Sequence, residues 1–545
     1  MSTSSVKTML DVTTPIPAGG KAHAPIELIR DLESTSGYWA AVWTLCTMPD
    51  VHLICDAPIG CFNLVATAVP DYTDAIPHIH NITPSVMREQ EVTMLGTAGA
   101  VCRAVEALRQ IHPDKQLIVV STAESEMISS DHGDWLSKLD PPVPFFWSQS
   151  LEGDEWEGRD RVLTWLWRNF GVNRVNRVNR VSHVSHVGHV GGVGDTNDTN
   201  DTNDTNDTKG TNTPNLLVNI LGPTYGCFNS PSDLHEVKRL IEGAGGQVNL
   251  VYPIEATLKD TPRLAESAVN VVMYREFGEA LAKELGKPYL FAPMGIRETT
   301  QFIQALGDLL GTREQADAFI AKEKKTTLAP LWDLWRGPQG DWFATTEFAV
   351  VAGRTYTEGL VRLLADELGM KLQFASGRPR RPDEMNNIQI REALHKKQPG
   401  FMFGSLNEKI YLTEAQARAT HFVPASFPGA VVRRALGTPF MGYRGVIYIV
   451  QEMVNRYYDL VFNFLPFDNV AAAGQLREVS NPLTAASKLV WSEAARARLE
   501  QQLEDIPWIS RISASRELRA QVEIYAVRHQ VREVTPEVVE RALGN

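Results

Sequence analysis

Short apolar runs alternate with amphipathic stretches along most of the chain. The runs are rich in Val, Ile and Leu and are bounded by Gly, Pro or polar residues, a pattern typical of buried strands. They are VHLICDAP (51–58), QLIVVSTAE (116–124), NLLVNILGP (215–223), QVNLVYP (247–253), AVNVVMY (268–274), FAVVAGRTY (348–356), KLQFA (371–375), GFMFGSL (400–406) and FVPASFP (422–428). Each run therefore predicts a strand that leads into a loop.

Several stretches between the runs have helical spacing. The stretch SDLHEVKRLIEGAG (232–245) starts with Ser232 and Asp233, either of which suits an N-cap. Its apolar positions share one stripe: Leu234, Val237, Leu240 and Ile241. A second helix is predicted at GLVRLLADELG (359–369), between two of the apolar runs.

Alternating strands and helices predict an α/β fold built on parallel sheets with helical crossovers. The runs form three series, which fit three Rossmann-like domains at about 25–213, 214–335 and 340–480. The remainder, 485–545, is helical in pattern and polar on one face, so we expect a separate small helical unit there.

Two segments lack any pattern that would bury a core. Residues 1–24 form a polar lead-in without the apolar region of a signal peptide, and we expect them to be disordered. From Val172 the chain reads VNRVNRVNRVSHVSHVGHVGGVGDTNDTNDTNDTNDTKGTN, with a period of three residues. We interpret this tract, 172–213, as an expanded repeat in a surface loop of the first domain, without a catalytic role.

Composition narrows the possible functions. The chain has 545 residues, 43% of them hydrophobic, and a formal net charge of −12. Lys and Arg are scattered and form no basic stripe, which argues against nucleic-acid binding. No apolar window approaches the length of a transmembrane helix, so we expect a cytoplasmic protein without a transmembrane segment.

Several common catalytic motifs are missing from the sequence. The stretch GEALAKELGKP (278–288) only approaches a phosphate-binding loop, because Pro288 stands where Ser or Thr would bind magnesium. It is better explained as a helix that ends at Gly286. No GxGxxG follows a strand, and HExxH and GxSxG are absent, so we expect that this chain itself binds neither ATP nor a dinucleotide.

The cysteines offer the clearest candidate chemistry. There are five, without a CxxC pair, which argues against a disulfide framework or a complete local iron–sulfur site. Cys61 and Cys227 each lie in the tetrapeptide GCFN after an apolar run, a position that predicts a loop. Loops that follow strands are where ligands bind in open α/β sheets. The others, Cys46, Cys55 and Cys102, lie in apolar runs and are interpreted as small buried hydrophobic residues.

Longer segments resemble a known family. They are SGYWAAVWTL, DAPIGCFNLVATAVPDYTDAIP, GPTYGCFNSPSDLHEVKRLIEG, VNVVMYREFGEALAKELGKPYLFAPMGI, LAPLWDLWRG, SLNEKIYL, FVPASFPGAVVRRALGTPFMGYRG and IPWISRISASRELR. Together they resemble the Z subunits of chlorophyllide a reductase, a nitrogenase-like enzyme of bacteriochlorophyll synthesis. The resemblance runs from about residue 30 to 545, apart from the repeat tract. It rests on the order and spacing of the segments rather than on one motif.

The resemblance implies a fold, a reaction and partners. Family members have three Rossmann-like domains, as in the MoFe protein of nitrogenase, and Y and Z subunits form a Y2Z2 heterotetramer. A 4Fe–4S cluster is held between Y and Z. A separate ATPase, the X subunit homodimer, carries a second 4Fe–4S cluster, docks transiently and delivers single electrons. The family reduces the C7=C8 double bond of ring B in chlorophyllide a.

The resemblance also implies roles for individual residues. In the family, Y supplies most cluster ligands and Z supplies one from the loop after its early strand. The matching loop here is APIGC, so Cys61 is the implied ligand, and Cys227 is a weaker candidate. A thiolate is a soft ligand that suits such a cluster. By rough alignment with light-independent protochlorophyllide reductase, a related enzyme, Asp333 in WDLW and Asp341 are candidate proton donors. The alternative is that both are surface or capping carboxylates.

Two other functions remain open at this stage. The chain also resembles the B subunit of light-independent protochlorophyllide reductase, which reduces C17=C18 of ring D. That family looks to carry Asp at the position of Cys61, which favours the first interpretation. A nitrogenase-like subunit could instead be a non-catalytic assembly scaffold, for which the segments WDLW and SLNEK and the pigment-type tail would have no evident use.

Overall fold

The structure is a computed structural model of the chain. It describes residues 33–71, 80–88, 90, 96–171, 215–335, 339–417, 419–427, 437–464, 489–502 and 508–543. The lead-in and the repeat tract lie outside the described residues, so the expectations for them stay untested. The chain divides into two compact units, Met1–Tyr457 and Tyr458–Asn545.

Twelve strands of the first unit form three sheets of four parallel strands each. In chain order the strands are β1 Val51–Cys55, β2 Ile82–Pro84, β3 Gln116–Val120, β4 Phe145–Phe146, β5 Leu217–Leu221, β6 Gln247–Tyr252, β7 Val269–Val272, β8 Tyr289–Phe291, β9 Glu347–Gly353, β10 Lys371–Arg378, β11 Phe401–Gly404 and β12 His421–Pro424. The sheet orders are β2-β1-β3-β4, β6-β5-β7-β8 and β10-β9-β11-β12. The same order recurs three times, which confirms the predicted α/β fold of three parallel sheets.

Helices connect the strands as crossovers. In chain order they are α1 Gly37–Leu45, α2 Ile59–Asp71, α3 Ala98–Ile111, α4 Ala123–Met127, α5 Gly133–Ser137, α6 Glu155–Leu166, α7 Ser230–Gly243, α8 Glu279–Leu285, α9 Ile296–Leu310, α10 Arg313–Lys325, α11 Ala329–Trp335, α12 Gln339–Thr345, α13 Arg354–Val361, α14 Asn387–Lys396, α15 Leu406–Glu414 and α16 Gly442–Phe464. The described residues also include two π-helical turns, Trp167–Gly171 and Arg362–Glu367, and a 3-10 segment, Leu258–Glu266.

The strands are buried on both faces, as parallel strands between helices should be. In β1, Leu53 and Cys55 face the largest apolar cluster, which also includes residues of the second and third sheets. Ile54 points to the opposite face and packs in a separate cluster with Val101 of α3. Because neighbouring side chains of a strand alternate between faces, a continuous apolar run is what such a strand requires.

The helix predicted at 232–245 exists, but it begins earlier than predicted. Helix α7 begins at Ser230, and its N-cap is Asn229 in a left-handed conformation, not Ser232 or Asp233. Asp233 lies in the first turn, where its carboxylate accepts hydrogen bonds from the backbone N–H groups of Phe440 and Met441 at 2.6 and 2.9 Å. The four predicted stripe residues are all buried, so the stripe is confirmed.

The second unit has its own small core. Its described elements are α17 Glu493–Gln501, α18 Trp508–Arg528 and α19 Pro536–Leu543, with a pair of short parallel strands, β13 Val490–Trp491 and β14 Glu533–Val534. Trp491, Ala495, Val522 and Val534 pack together in its core. The helices agree with the expected helical unit, whereas the two strands were not predicted, because two residues are too short to show a strand pattern.

Candidate functional site

Cys61 lies in the first turn of α2, not in a loop as its sequence neighbourhood suggested. Strand β1 ends at Cys55, and the helix begins four residues later at Ile59. The Cys61 side chain is part-exposed. Among the described residues, no heavy atom lies within 4 Å of a Cβ placed on Gly60, so in this part of the structure the backbone beside the thiol faces open space.

The thiol is paired with a carboxylate from the helix that follows the neighbouring strand. Strands β1 and β3 are hydrogen-bonded along their length, so the segments that follow them emerge side by side. Helix α4 follows β3, with Thr122 as its N-cap, and carries Glu124 in its first turn. The Cys61 Sγ–H donates to Glu124 Oε1 at 2.7 Å. Partial burial and then this carboxylate raise the pKa of the Cys61 thiol to about 11, so the thiol is protonated at neutral pH.

Exposed apolar side chains flank the pair. Ile59 and Leu64 on α2 are 58% and 61% exposed, and Met127 on α4 is 72% exposed. Leu64 is three residues from Cys61 and Met127 is three residues from Glu124, so each shares a helix face with its neighbour. We call these three side chains, with Cys61, the thiol surface. Exposed apolar side chains of this kind mark a candidate protein–protein contact.

A buried polar network lies directly behind the thiol surface. Asp56, the first residue after β1, is fully buried. Its carboxylate accepts hydrogen bonds from Ser85 Oγ at 3.0 Å, Thr97 Oγ1 at 2.7 Å and His132 Nε2 at 3.0 Å. The Asp56 carbonyl accepts a further bond from Thr122 Oγ1 at 2.7 Å. Neither this network nor Glu124 was predicted from the sequence, where the available signal was a polar residue soon after each of two adjacent parallel strands.

Cys227 lies in a turn before α7 and is 7% exposed. Its sulfur is 3.6 Å from Arg159 Nη1 and 3.4 Å from Thr224 Oγ1. Arg159 is fully buried between the rings of Trp43 and Phe277, with its guanidinium carbon 5.2 and 5.3 Å from their centroids. Cys227 is therefore an interior residue within a packed polar cluster.

A cavity of about 40 Å³ adjoins Cys227 where loops of all three sheets meet. Its polar lining includes Glu155, Trp156, Tyr274 and Glu276. Burial raises the pKa of the carboxyls of Glu155 and Glu276. Nearby, burial raises the pKa of Asp233 from 3.8 to about 6, although hydrogen bonds from Tyr356 and the backbone oppose the shift. The cavity has room for a few water molecules and is far too small for a pigment.

The two candidate proton donors lie on short helices. Asp333 is on α11 and Asp341 is in the first turn of α12, and both side chains are exposed. The two helices pack against each other. Asp341 thus lies within a helix, and strand β9 begins only at Glu347. Trp332, beside Asp333, is 47% exposed and lines a groove with Leu328 and Leu331.

The remaining cysteines divide into two kinds. Cys46 and Cys55 are 2% and 0% exposed, as predicted for small core residues. Cys102 is part-exposed on α3, where its thiol donates to Glu106 at 3.6 Å, so the prediction that it is buried is wrong. Among the described residues, His, Cys, Asp and Glu side chains form no group of three that could hold a metal ion. In the same part of the chain, no helix combines the length and apolar character that crossing a membrane requires.

Comparison with known proteins agrees with the fold. Residues 36–458 match the model of the family described as nitrogenase component 1 type oxidoreductase. A solved structure, nitrogenase Cp1 at pH 6.5, superimposes with a TM-score of 0.61 at 14% identity, covering 82% of this chain and 97% of the other. At that identity the likeness concerns the fold alone.

Curated relatives are subunits B of light-independent protochlorophyllide reductase. That of Synechococcus sp. (strain JA-2-3B'a(2-13)) is 26% identical over 52% of this chain, and the match spans 59% of the relative's length. That of Heliobacterium modesticaldum is 27% identical over 60% of this chain and 68% of the relative. That of Prosthecochloris aestuarii is 35% identical, over 30% of this chain and 33% of the relative. The chain belongs to the nitrogenase component 1 type oxidoreductase family.

Proposed function

We propose that this chain is a Z-type subunit of chlorophyllide a reductase, which with a Y-type partner reduces the C7=C8 double bond of ring B of chlorophyllide a. Family membership and the similarity to pigment-reducing subunits support the reaction class. The quoted segments, above all APIGC at Cys61, support the choice of pigment. The observation that carries the proposal is the thiol surface: a part-exposed cysteine in an open, apolar setting.

Cys61 is suited to be one ligand of a 4Fe–4S cluster shared with the Y-type subunit. Its sulfur is a soft donor, and the open space beside Gly60 leaves room for a bulky group. One thiolate is one of the four ligands that such a cluster needs, so the others come from the Y-type subunit across the thiol surface. When bound, the cluster would supply single electrons to the pigment.

The electrons originate outside this chain. In the proposal, an X-type ATPase homodimer with its own 4Fe–4S cluster binds ATP, docks on the Y2Z2 complex and delivers electrons one at a time. Reduction of one C=C bond takes two electrons and two protons. The role left to this chain's own residues is to hold Cys61 at the interface and to help position the pigment and its protons.

Asp333 and Asp341 remain the proposed proton donors. Both are exposed, whereas a general acid must hold its proton next to the reacting atom. The role therefore requires that the pigment or the partner subunit cover them. The groove beside Trp332 offers an apolar wall of suitable character for a planar ring.

A second candidate function is the B-type role in protochlorophyllide reduction at C17=C18, which the curated relatives favour. The two functions differ in the pigment reduced. The test is to purify this chain with a Y-type subunit without oxygen, add an X-type ATPase, ATP and a reductant, and offer chlorophyllide a and protochlorophyllide in separate assays.

The proposal expects a bacteriochlorin absorption spectrum from chlorophyllide a and no reaction of protochlorophyllide. Conversion of protochlorophyllide alone would establish the second function instead. A complex that carries no iron and converts neither pigment, beside an active reference enzyme, would indicate a non-catalytic scaffold.

A further inference from the structure

We propose that the groove beside Trp332 binds a flat, largely apolar molecule that carries one carboxylate, and that Lys324 and Arg297 recognise this carboxylate. The inference rests on the proposed function and deepens it, because it states which part of the pigment this chain recognises. We call the site the Trp332 groove. Its lining includes Ile296, Arg297, Lys324, Leu328, Leu331 and Trp332.

The Trp332 groove has the size and the lining of a small-molecule site. Its volume is about 530 Å³, within the range of about 300–1,000 Å³ that is common for such sites. Leu328 and Leu331 are 0% and 2% exposed, so they close the floor of the groove. Trp332 is 47% exposed, and its indole offers a large flat surface on which a planar ring can stack.

Two cationic side chains also line the groove. Lys324 lies in the last turn of α10 and Arg297 in the first turn of α9, and both are exposed. Within the part of the chain that the structure describes, neither side chain forms an ion pair or a hydrogen bond. Cations without partners beside an apolar wall favour a ligand with an apolar body and an anionic end.

One acidic residue, Glu367, lines the groove, but its carboxylate is already engaged. It accepts hydrogen bonds from the first two backbone N–H groups of α9, at 2.7 and 2.9 Å, and so offsets the positive end of that helix. A second carboxylate, that of Asp366, lines an adjoining depression together with Arg297 and competes for its guanidinium. Lys324 is therefore expected to contribute more than Arg297 to binding a carboxylate.

The position of Lys324 has a simpler explanation, which a neighbouring residue can test. Lysines are common at helix C-termini, because they complement the helix dipole. The last turn of α10 contains three of them, Lys322, Lys324 and Lys325, and of these only Lys324 lines the groove. Lys322 is therefore a matched control, since it shares the helix end, the charge and the exposure but does not line the groove.

Chlorophyllide a has the chemistry that the groove requires. It is a flat, mostly apolar ring with a free propionate carboxylate, whereas in its methyl ester the same group is uncharged. An ion pair with Lys324 would fix one edge of the ring against Trp332, and a fixed edge limits which double bond can face the electron donor. Because the groove is open on one side, the other face of the ring is left for the partner subunit.

The test compares the binding of chlorophyllide a with that of its methyl ester. The complex of this chain with its Y-type partner is purified without oxygen and titrated with each pigment in the absence of the ATPase, so that no turnover occurs. Wild type should bind the free acid more tightly than the ester, by about fivefold. Lys324→Ala should bind the free acid about two- to fivefold more weakly and the ester unchanged, as expected for an exposed ion pair. Arg297→Ala should show the same pattern with a smaller loss.

Three further variants complete the comparison. Lys322→Ala should match wild type with both pigments. Trp332→Leu should weaken the binding of both pigments by about threefold or more, because the stacking surface is lost whichever end group is present. Trp147→Leu is its matched control, since Trp147 is 36% exposed and does not line the groove.

Two results would overturn the inference directly. The first is that wild type binds the acid and the ester equally, or that Lys324→Ala weakens both pigments to the same extent, because the carboxylate would then not be recognised. The second is that Lys324→Ala or Trp332→Leu no longer assembles with the Y-type subunit in gel filtration. The groove would then be a contact between subunits and not a pigment site.

Turnover separates this inference from the function on which it rests. With the X-type ATPase and ATP, Lys324→Ala should raise the KM for chlorophyllide a and leave kcat close to that of wild type. If wild type reduces chlorophyllide a but Lys324→Ala and Arg297→Ala leave KM unchanged, the groove is not the carboxylate site and the proposed function stands. If wild type neither binds nor reduces chlorophyllide a, the proposed function is wrong and the inference falls with it.

Discussion

The two GCFN segments are identical in sequence and opposite in setting. Cys61 lies on the open side of the first sheet, in a helix turn flanked by exposed apolar side chains, with a carboxylate as its partner. Cys227 lies inside the molecule, in a turn before α7, with a guanidinium and a hydroxyl beside it. Both follow the first strand of a parallel sheet.

The difference arises from what packs against each segment. The Cys227 turn is covered by Arg159 and Trp43, both from helices of the first sheet, so that a Cβ on Gly226 would be 2.6 Å from Trp43 and 2.7 Å from Arg159. The same construction at Gly60 meets no atom of a described residue within 4 Å. A four-residue motif therefore does not define a site, because the surface left open around it decides which chemistry is possible.

The largest expected effect concerns the buried surroundings of Cys227. Arg159→Ala removes the donor to Thr224 and to the Tyr225 carbonyl and leaves the buried Glu155, 3.6 Å away, without its counter-ion. Breaking a buried ion pair in this way costs about 3–5 kcal/mol. Denaturant unfolding of the isolated chain should show a strongly lowered midpoint. Glu124→Gln, beside Cys61, should lower the free energy of unfolding by less than about 1 kcal/mol. Equal losses of stability in the two variants would contradict the difference described between the surroundings of Cys61 and Cys227.

A smaller effect should appear in the pH dependence of stability. The pKa of Asp233, in the helix after Cys227, is about 6 in the folded protein against 3.8 for an ordinary Asp. Between these values the folded state binds a proton that the unfolded state has lost, so the free energy of unfolding falls as pH rises from about 4 to 6. The change should be on the order of 2–3 kcal/mol.

The measurement is denaturant unfolding at pH 4.5, 5.5, 6.5 and 7.5, with Asp233→Asn beside the wild type. The variant keeps an acceptor oxygen for the backbone N–H groups but does not titrate. Its stability should therefore fall less over this interval. A slope identical to that of wild type would show that Asp233 titrates normally.

The smallest expected effect is on the rates at which individual cysteines are modified, and it reports only on the immediate surroundings of each thiol. In the isolated folded chain, iodoacetamide should modify Cys61 at least about tenfold faster than Cys227, because Cys227 is almost wholly buried. Because the pKa of Cys61 is about 11, its rate should rise about tenfold per pH unit from pH 7 to 9.5 without levelling off.

Peptide mass spectrometry distinguishes the five cysteines, and Cys102 is the part-exposed reference. Faster labelling of Cys227 than of Cys61, or a plateau of the Cys61 rate near pH 8.5, would contradict the environments described above.

Most strands of the three sheets were predictable, whereas the short strands β2, β4 and β8 and much of the site were not. A buried parallel strand is a local apolar run, so β1, β3, β5 and their counterparts can be recognised from a few adjacent residues. The Cys61–Glu124 contact joins residues 63 positions apart and depends on β1 pairing with β3. Once the pairing is known the contact is reasonable, but no local pattern specifies it.

Helix starts were the other source of error. Gly60 follows Pro58 and suggested a loop, yet it lies in the first turn of α2, where a glycine weakens a helix little. Asn229 reaches a left-handed conformation that Asn tolerates better than most residues, which let α7 begin two residues before Ser232.

The central claim is that Cys61 and not Cys227 is the cluster ligand, and it can be tested directly. The measurement is the iron content and reduced-state EPR spectrum of the complex with the Y-type subunit, purified without oxygen, for wild type, Cys61→Ala and Cys227→Ala. We expect Cys61→Ala to remove or reshape the cluster signal and to lower turnover by roughly 100-fold or more, with Cys227→Ala close to wild type. An unchanged signal and turnover in Cys61→Ala, or loss of the signal in a folded Cys227→Ala complex, would contradict the assignment.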